Sequence, residues 1–388
     1  MEEKLRRKTF LVFGAPVIED EEIQEVIDSM KSGWLGTGPK VARFEEDFRS
    51  YKRATHAAAV NSCTAALHLS ILVAGIKNGD EVITTPLTFC STVNAIVHAG
   101  GTPVLADVDP KTMNIDPDQV RAKITKKTRA IVPVHFAGRP CAMDELCDIS
   151  STYSLKIIED CAHAIESIYH GKQAGTIGDF GCFSFYSTKN LVTGEGGMVL
   201  AKNKADIDRI KILALHGMSK DAWKRFSDDG YKHYNVIEAG FKYNMMDLQA
   251  AIGIHQLIRV EKYWLRRKEI WDTYMEAFAG LPLILPSDPE PNTRHAYHLY
   301  SVRINENNSG VSRDDFLDAI TEQNIGVGVH YQSIPEHQYY RNTYGWKGSD
   351  YPNAWRIGQE TVSLPISAKL KDKDVEDVIR AVKKIILK

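Results

Sequence analysis

A short apolar, β-favouring run followed by a longer stretch of helical spacing recurs between residues 57 and 160, and few folds accommodate that order. The runs are AAAV (57–60), EVITT (81–85), TPVLADV (102–108), RAIVPVH (129–135) and KIIED (156–160). TAALHLSILVAG (64–75), TVNAIVHAG (92–100) and AMDELCDISSTY (142–153) stand between them. Strand, helix, strand in this order predicts a parallel sheet with helices on both faces. Upstream, DEEIQEVIDSMKS (20–32) has helical spacing, with Ile23, Val26, Ile27 and Met30 on one face and Gly33 as its stop.

Beyond residue 180 the pattern changes. FGCFSFY (180–186) and GMVLA (197–201) read as two more strands around a glycine-rich loop, and a long helix is predicted from about 245 to 279. LPSDPEPNTR (285–294) is a cluster of helix and strand breakers. A strand (HLYSVRI, 298–304), a helix (SRDDFLDAITEQ, 312–323), a strand (VGVHY, 327–331) and a last helix (370–387) follow. The predicted division is a large α/β domain over 1–250 and a smaller C-terminal α+β domain over 251–388.

A chain of 388 residues buries enough surface to need neither disulfide nor metal for its core. Lys and Arg number 48 and Asp and Glu 50, so the net charge is −2, which excludes a globally basic nucleic-acid binder. The six cysteines form no CxxC pair and sit mostly in apolar runs, the pattern of reduced core thiols rather than a zinc ribbon. No metal site is expected. No apolar run approaches the roughly 18 to 20 residues of a membrane helix. The apolar stretch near the N-terminus is too brief for a signal peptide, so a cytoplasmic protein is expected. No GxGxxG turn follows the first strand, which removes the dinucleotide-dependent oxidoreductase reading.

In open α/β sheets, ligands bind at the carboxyl ends of the strands. KIIED ends in Asp160, and Lys189 follows FGCFSFY. For an arbitrary carboxylate and lysine a surface ion pair is the ordinary explanation. Here Lys189 lies between an apolar strand and GEGG (194–197), where backbone approaches a ligand closely. A partly desolvated lysine has a lowered pKa and forms a Schiff base with an aldehyde. Pyridoxal phosphate needs such a lysine, an acidic partner for its ring nitrogen and a phosphate cup. Ser62 and Thr64 in NSCTAALHL open a helix, and hydroxyls with free amides at a helix N-terminus bind phosphate. Phe89 in TPLTFCST is a candidate to stack on the ring, although a Phe there is also an ordinary core residue.

Taken as a set, these segments resemble the DegT/DnrJ/EryC1/StrS family of sugar aminotransferases, which are fold-type I pyridoxal-phosphate enzymes. The match runs from about 10 to 385 and includes SGWLGTGPKVARFEE (32–46), IIEDCAHAIES (157–167), FSFYSTKNLVTGEGG (183–197) and GFKYNMMDLQAAIG (240–253). The resemblance implies that Lys189 carries pyridoxal 5′-phosphate and then shuttles the proton. It implies Asp160 on the pyridinium nitrogen, Phe89 on one ring face, and His163 near the 3-oxygen or the other face. Ser62, Thr64 and Ser184 would hold the phosphate. Cys63 stands where the family often has Gly, and its backbone contact should survive. The family shares its site across a homodimer, so Lys242 or Asn244 would reach the neighbour's phosphate, and GWLGTGP (33–39) would approach that site.

The resemblance also implies L-glutamate as amino donor and a nucleotide-linked keto sugar as acceptor, in amino-sugar or surface-polysaccharide biosynthesis. His163 and HGMSKDAWKR (216–225) are most like the type that aminates C4 of UDP-4-keto sugars. C3 amination of a dTDP- or UDP-3-keto sugar, or a non-catalytic regulatory protein on the same fold, are the alternatives. His298, His330 and Arg225 are candidates for either substrate contact or packing and surface roles.

Overall fold

The computed structural model describes residues 6–219 and 234–387. Helices α1 (Asp20–Ser32) and α2 (Pro39–Tyr51) come first. The alternation follows as β1 (His56–Val60), α3 (Cys63–Val73), β2 (Glu81–Thr84), α4 (Cys90–His98), β3 (Thr102–Leu105), α5 (Pro117–Lys123), β4 (Thr128–Val132), α6 (Met143–Tyr153) and β5 (Lys156–Asp160). The short strands β6 (Ile168–Tyr169) and β7 (Lys172–Gln173) precede β8 (Phe180–Ser184), β9 (Gly197–Ala201) and α7 (Lys204–Ala214). Seven strands form one sheet in the order β1-β9-β8-β5-β4-β2-β3. Only β9 runs antiparallel to its neighbours. The sheet is therefore mostly parallel, as its apolar strands require.

Side chains alternate across this sheet. Cys182 of β8 and Val199 of β9 pack under α3 and α7 with Leu67, Ile71 and Ile210. Phe183 of β8 and Leu200 of β9 face the other way, toward Phe44 and Phe48 of α2. The same alternation sends the two carboxylates of KIIED to opposite faces. Asp160 shares the parity of Ile158, which lies in the first of these layers. Glu159 shares the parity of Ile157 on the far side.

Glu159 is fully buried, and its oxygens accept from the amides of Gly175, Ile177 and Gly178 at 2.7–2.8 Å. The Cys141 amide donates to His135 Nδ1, so His135 Nε2–H donates to Glu159 at 3.0 Å. Burial pushes the Glu159 pKa up, but the His135 ring and these amides outweigh it and hold the carboxyl below its usual value. His135, Glu159 and Cys161 bring three potential ligand atoms within 4.8 Å of one another. The carboxylate among them is already committed to four donors, which fix the turn entering β8. Glu159→Ala is expected to cost roughly 3–5 kcal/mol by leaving those donors buried and unpaired. Denaturant unfolding measures this, and a loss below about 1 kcal/mol would contradict the pinning role.

Helix α8 (Asp247–Phe278) leads into β10 (Thr293–Arg294), β11 (Tyr300–Arg303), α9 (Glu306–Ser309), α10 (Arg313–Glu322), α11 (Gln338–Tyr344), α12 (Pro352–Glu360), β12 (Thr361–Leu364) and α13 (Asp372–Ile386). Strands β11 and β12 pair antiparallel, and α10, α13 and the C-terminal half of α8 cover them in a core centred on Tyr274, Tyr300 and Phe316. VGVHY does not form the predicted strand. Gly328 makes a single bridge to Ser363, and the chain then turns away, carrying His330 and Tyr331 to the cavity described below.

Helix α1 has its expected bounds but buries Glu22 and Ser29. Glu22 pairs with Arg259 and accepts from Gln256 at 2.7 Å, and Glu25 accepts from Lys40 at 2.7 Å and His255 at 2.9 Å. The contact with α8 is thus polar, and Ile23, Ile27 and Met30 face outward beside the exposed Trp34 and Leu35. Among the described residues no helix is long and apolar enough to cross a membrane.

Candidate active site

The carboxyl ends of β1, β5 and β8 meet the segment after Gly328 around one cavity of about 630 Å³. Lys189 and Asp160 both line it. Lys189 sits on the loop that closes β8 onto β9, with its amide donating to the Tyr186 carbonyl at 2.8 Å. The next residue is held from behind. Asn190 donates to Glu166 at 2.9 Å and meets His298 Nδ1 at 2.9 Å, while Glu166 pairs with the buried Arg267. Burial lowers the Lys189 pKa to about 8, against the opposing pull of Cys63 and Asp160. Roughly a tenth of such an amine is neutral and nucleophilic at pH 7, against far less than a hundredth for an ordinary lysine.

Asp160 Oδ1 accepts from the Ala162 amide at 3.1 Å, and Oδ2 from the Thr92 hydroxyl at 2.8 Å. Thr92 is in turn 2.8 Å from Thr88. Burial pushes the Asp160 pKa up, only partly offset by these bonds and by Lys189. The result is a desolvated carboxylate with neutral hydrogen-bond donors, an arrangement that favours a cation placed against it.

At the other end of the cavity lies the N-terminus of α3. Ser62 caps it, accepting from the Ala65 amide at 3.1 Å, and Ser62, Cys63 and Thr64 all line the cavity. The Cys63 side chain turns into the core toward the Cys182 carbonyl, 3.6 Å away, so a side chain here leaves the helix end open. Gly197 packs flush on this turn: a Cβ there would lie 2.5 Å from the Ser62 carbonyl carbon. Ser184, at the end of β8, is buried beside it and lines the cavity.

Phe89 caps α4 and is 59% exposed, with its ring 6.2 Å from that of Tyr331. His163 is buried at the wall. Burial lowers its pKa well below the usual value, assisted by the charges of Lys189, His298 and His330. His298 stacks on it at 4.3 Å and does not reach the cavity lining. His330 lines the cavity and is held from below by Ser363, 2.9 Å from Nδ1.

Lys242 and Asn244 do not line this cavity. Asn244 lies beside the 33–39 loop, donating to Thr37 at 2.7 Å, and Gly36 accepts from the Asp247 amide at 2.9 Å, whereas Lys242 bridges to Leu215 and its carbonyl accepts from Asn61. Asn244 Oδ1 is buried with no hydrogen-bond partner among the described residues. Arg225 and residues 220–225 of HGMSKDAWKR lie outside the described residues. Sequence reasoning missed Thr92, two residues beyond the start of α4, and Tyr331, the neighbour of a histidine it did single out.

The chain is similar to known proteins over nearly its whole length. A model described as the DegT/DnrJ/EryC1/StrS aminotransferase family matches residues 16–383. The spore coat polysaccharide biosynthesis protein SpsC of Bacillus subtilis is 47% identical over 382 residues, covering 98% of each chain. The PLP form of Spr1654 from Streptococcus pneumoniae, put forward as a sugar aminotransferase, is 31% identical with a TM-score of 0.89, covering 97% of this chain and 99% of that one. DesI, solved in the presence of its TDP-sugar product, is 29% identical with a TM-score of 0.86, covering 98% of this chain and 93% of its own.

Proposed function

Because the chain belongs to the DegT/DnrJ/EryC1/StrS aminotransferase family, we propose that it moves an amino group from L-glutamate to a nucleotide-linked keto sugar, at C4 of a UDP-4-keto sugar. It is a pyridoxal-phosphate-dependent sugar aminotransferase of fold type I. The observation that carries the reading is the placement of a nucleophilic lysine, an uncompensated buried carboxylate and a capped helix N-terminus around one cavity.

The residues fit the cofactor. Asp160 lacks the cation its burial calls for, and a protonated pyridine nitrogen is one. The free amides of α3 suit a phosphate, and Gly197 lets β9 pack flush on the Ser62–Cys63 turn that presents them. When bound, pyridoxal phosphate supplies the electron sink for the carbanion formed at the reacting carbon. Lys189 holds the cofactor between turnovers, then uses its freed amine to move the proton from the α-carbon of glutamate. Asp160 keeps the proton on the ring nitrogen. Phe89 covers one ring face, and His163 stands at the other or at the 3-oxygen. Ser62, Thr64, Ser184 and the Cys63 amide receive the phosphate. The C4 assignment is supported by histidine at position 163, and a nucleotide-linked sugar as the substrate class by the TDP-sugar product of DesI.

The homodimer is supported by the exposed apolar stripe of Ile23, Ile27 and Met30. Lys242 or Asn244 would then serve the partner's site. Ile27→Asp combined with Met30→Asp is expected to yield a monomer with at least about tenfold lower activity. Light scattering and steady-state rates read the two effects, and a fully active monomer would refute the shared site.

Absorption of the purified holoenzyme tests the whole reading. Adding L-glutamate should bleach the lysine-bound cofactor band, and adding UDP- or dTDP-4-keto sugars should restore it with release of a 4-amino sugar. A cofactor band unchanged by glutamate would overturn the donor. Amination at another carbon would overturn the C4 assignment. Apo-protein provides a further check: the rate of cofactor uptake should rise with pH around a midpoint of about 8 and then level. A rate still climbing at pH 10 would mean Lys189 is an ordinary lysine.

A further inference from the structure

The hydrogen bonds around His163 leave one proton of the cavity wall without an acceptor. The Ala137 amide donates to His163 Nδ1 at 3.3 Å, so the neutral ring carries its hydrogen on Nε2. Nε2 lies 3.1 Å from the Tyr331 hydroxyl, whose oxygen therefore accepts. A phenol that accepts still holds its own hydrogen. Among the described residues His163 is the only hydrogen-bond partner of this hydroxyl.

Tyr331 is placed to use that hydrogen. It lines the cavity together with Lys189, Asp160 and Phe89. Its ring is nearly parallel to that of His163, at 16° and 6.2 Å, and is 6.2 Å from Phe89. Burial pushes its pKa up, with Asp160 and Cys90 adding to the effect, so the hydroxyl stays a donor throughout the working pH range. A partly desolvated O–H without an acceptor is costly, and an oxygen on the cavity's occupant relieves that cost.

We propose that Tyr331 is a hydrogen-bond donor of the active site, aimed at an anionic oxygen of the bound molecules, and that His163 is the positioning residue that keeps the Tyr331 hydrogen free for it. The acceptor oxygen has two sources: the phenolate oxygen of the cofactor, or an oxygen of the substrates, namely the carboxylate of the donor or the partially negative carbonyl oxygen of the keto sugar. The proposal rests on the transaminase reading.

Tyr331→Phe in the holoenzyme keeps the ring and removes only the hydroxyl. The first measurement is a pH titration of the cofactor's visible absorption without substrate. If Tyr331 serves the phenolic oxygen, the spectral midpoint rises by about one unit or more, because a donor to the anionic form has been lost. The second measurement is steady-state kinetics. If Tyr331 serves a substrate oxygen, the spectrum is unchanged, and KM for L-glutamate or for the keto sugar rises about tenfold. A variant that matches the parent in both measurements overturns the proposal. The titration needs only bound cofactor, so a parent enzyme inert to glutamate would sink the transaminase reading and leave Tyr331 still under test.

Discussion

Lys189→Ala is expected to lower kcat by roughly five orders of magnitude. Two tasks fall on one amine. On the proposed reading it would anchor the cofactor covalently and, once displaced, would move the proton at the reacting carbon. Among the described residues no other amine lines the cavity. Removal of a covalent nucleophile that also serves as the base typically costs about 10⁴ to 10⁶ in turnover. A small primary amine in the buffer should restore part of the proton-transfer rate. Single-turnover absorbance with L-glutamate measures both effects. Transamination above about 1% of the parent rate without added amine would refute the assignment.

Asp160→Asn should lower the same half-reaction by roughly three orders of magnitude. The substitution keeps the size of the side chain and its hydrogen-bonding reach toward Thr92 and Ala162, so the loss is that of charge. A buried charge facing a buried cation is worth several kcal/mol, because no water competes. Without it the ring nitrogen gives up its proton and the electron sink weakens. The cofactor should remain bound, since its phosphate would be held at the N-terminus of α3. Rates within tenfold of the parent would show that ring protonation is not held by this carboxylate.

The parallel sheet was legible because its strands are short, apolar and separated by helical spacing. KIIED and GMVLA have their expected bounds as β5 and β9, and DEEIQEVIDSMKS as α1. Burial on α1 was not legible. Its apolar stripe points outward because Glu22 finds Arg259 and Gln256 on α8, a partner more than two hundred residues away that no local pattern reveals. VGVHY has the alternation of a strand, but β12 already pairs with β11, and only Gly328 meets its open edge. Helix α2 was missed although Val41, Phe44 and Phe48 carry the helical spacing that its buried face uses. At the site, Asp160 and Lys189 were readable because strand ends gather at one edge of a parallel sheet. Tyr331 was not, because it arrives from a segment whose path depends on long-range packing.

That difference in origin divides the cavity by ancestry of support. Asp160 and Ser184 end strands of one hydrogen-bonded sheet, Ser62 lies just beyond β1, and Lys189 sits on the loop joining β8 to β9 of the same sheet. His330 and Tyr331 ride on a connecting segment outside that sheet, held by the Gly328–Ser363 bridge and by side-chain bonds from Ser363, Thr361 and His163. Changes in that segment other than at Tyr331 can accumulate without moving the sheet-borne residues of the cavity. A lineage built on this plan is therefore free to drift from one sugar to another while its chemistry stays fixed, and exchange of residues 327–337 between relatives is the shortest route to a new acceptor.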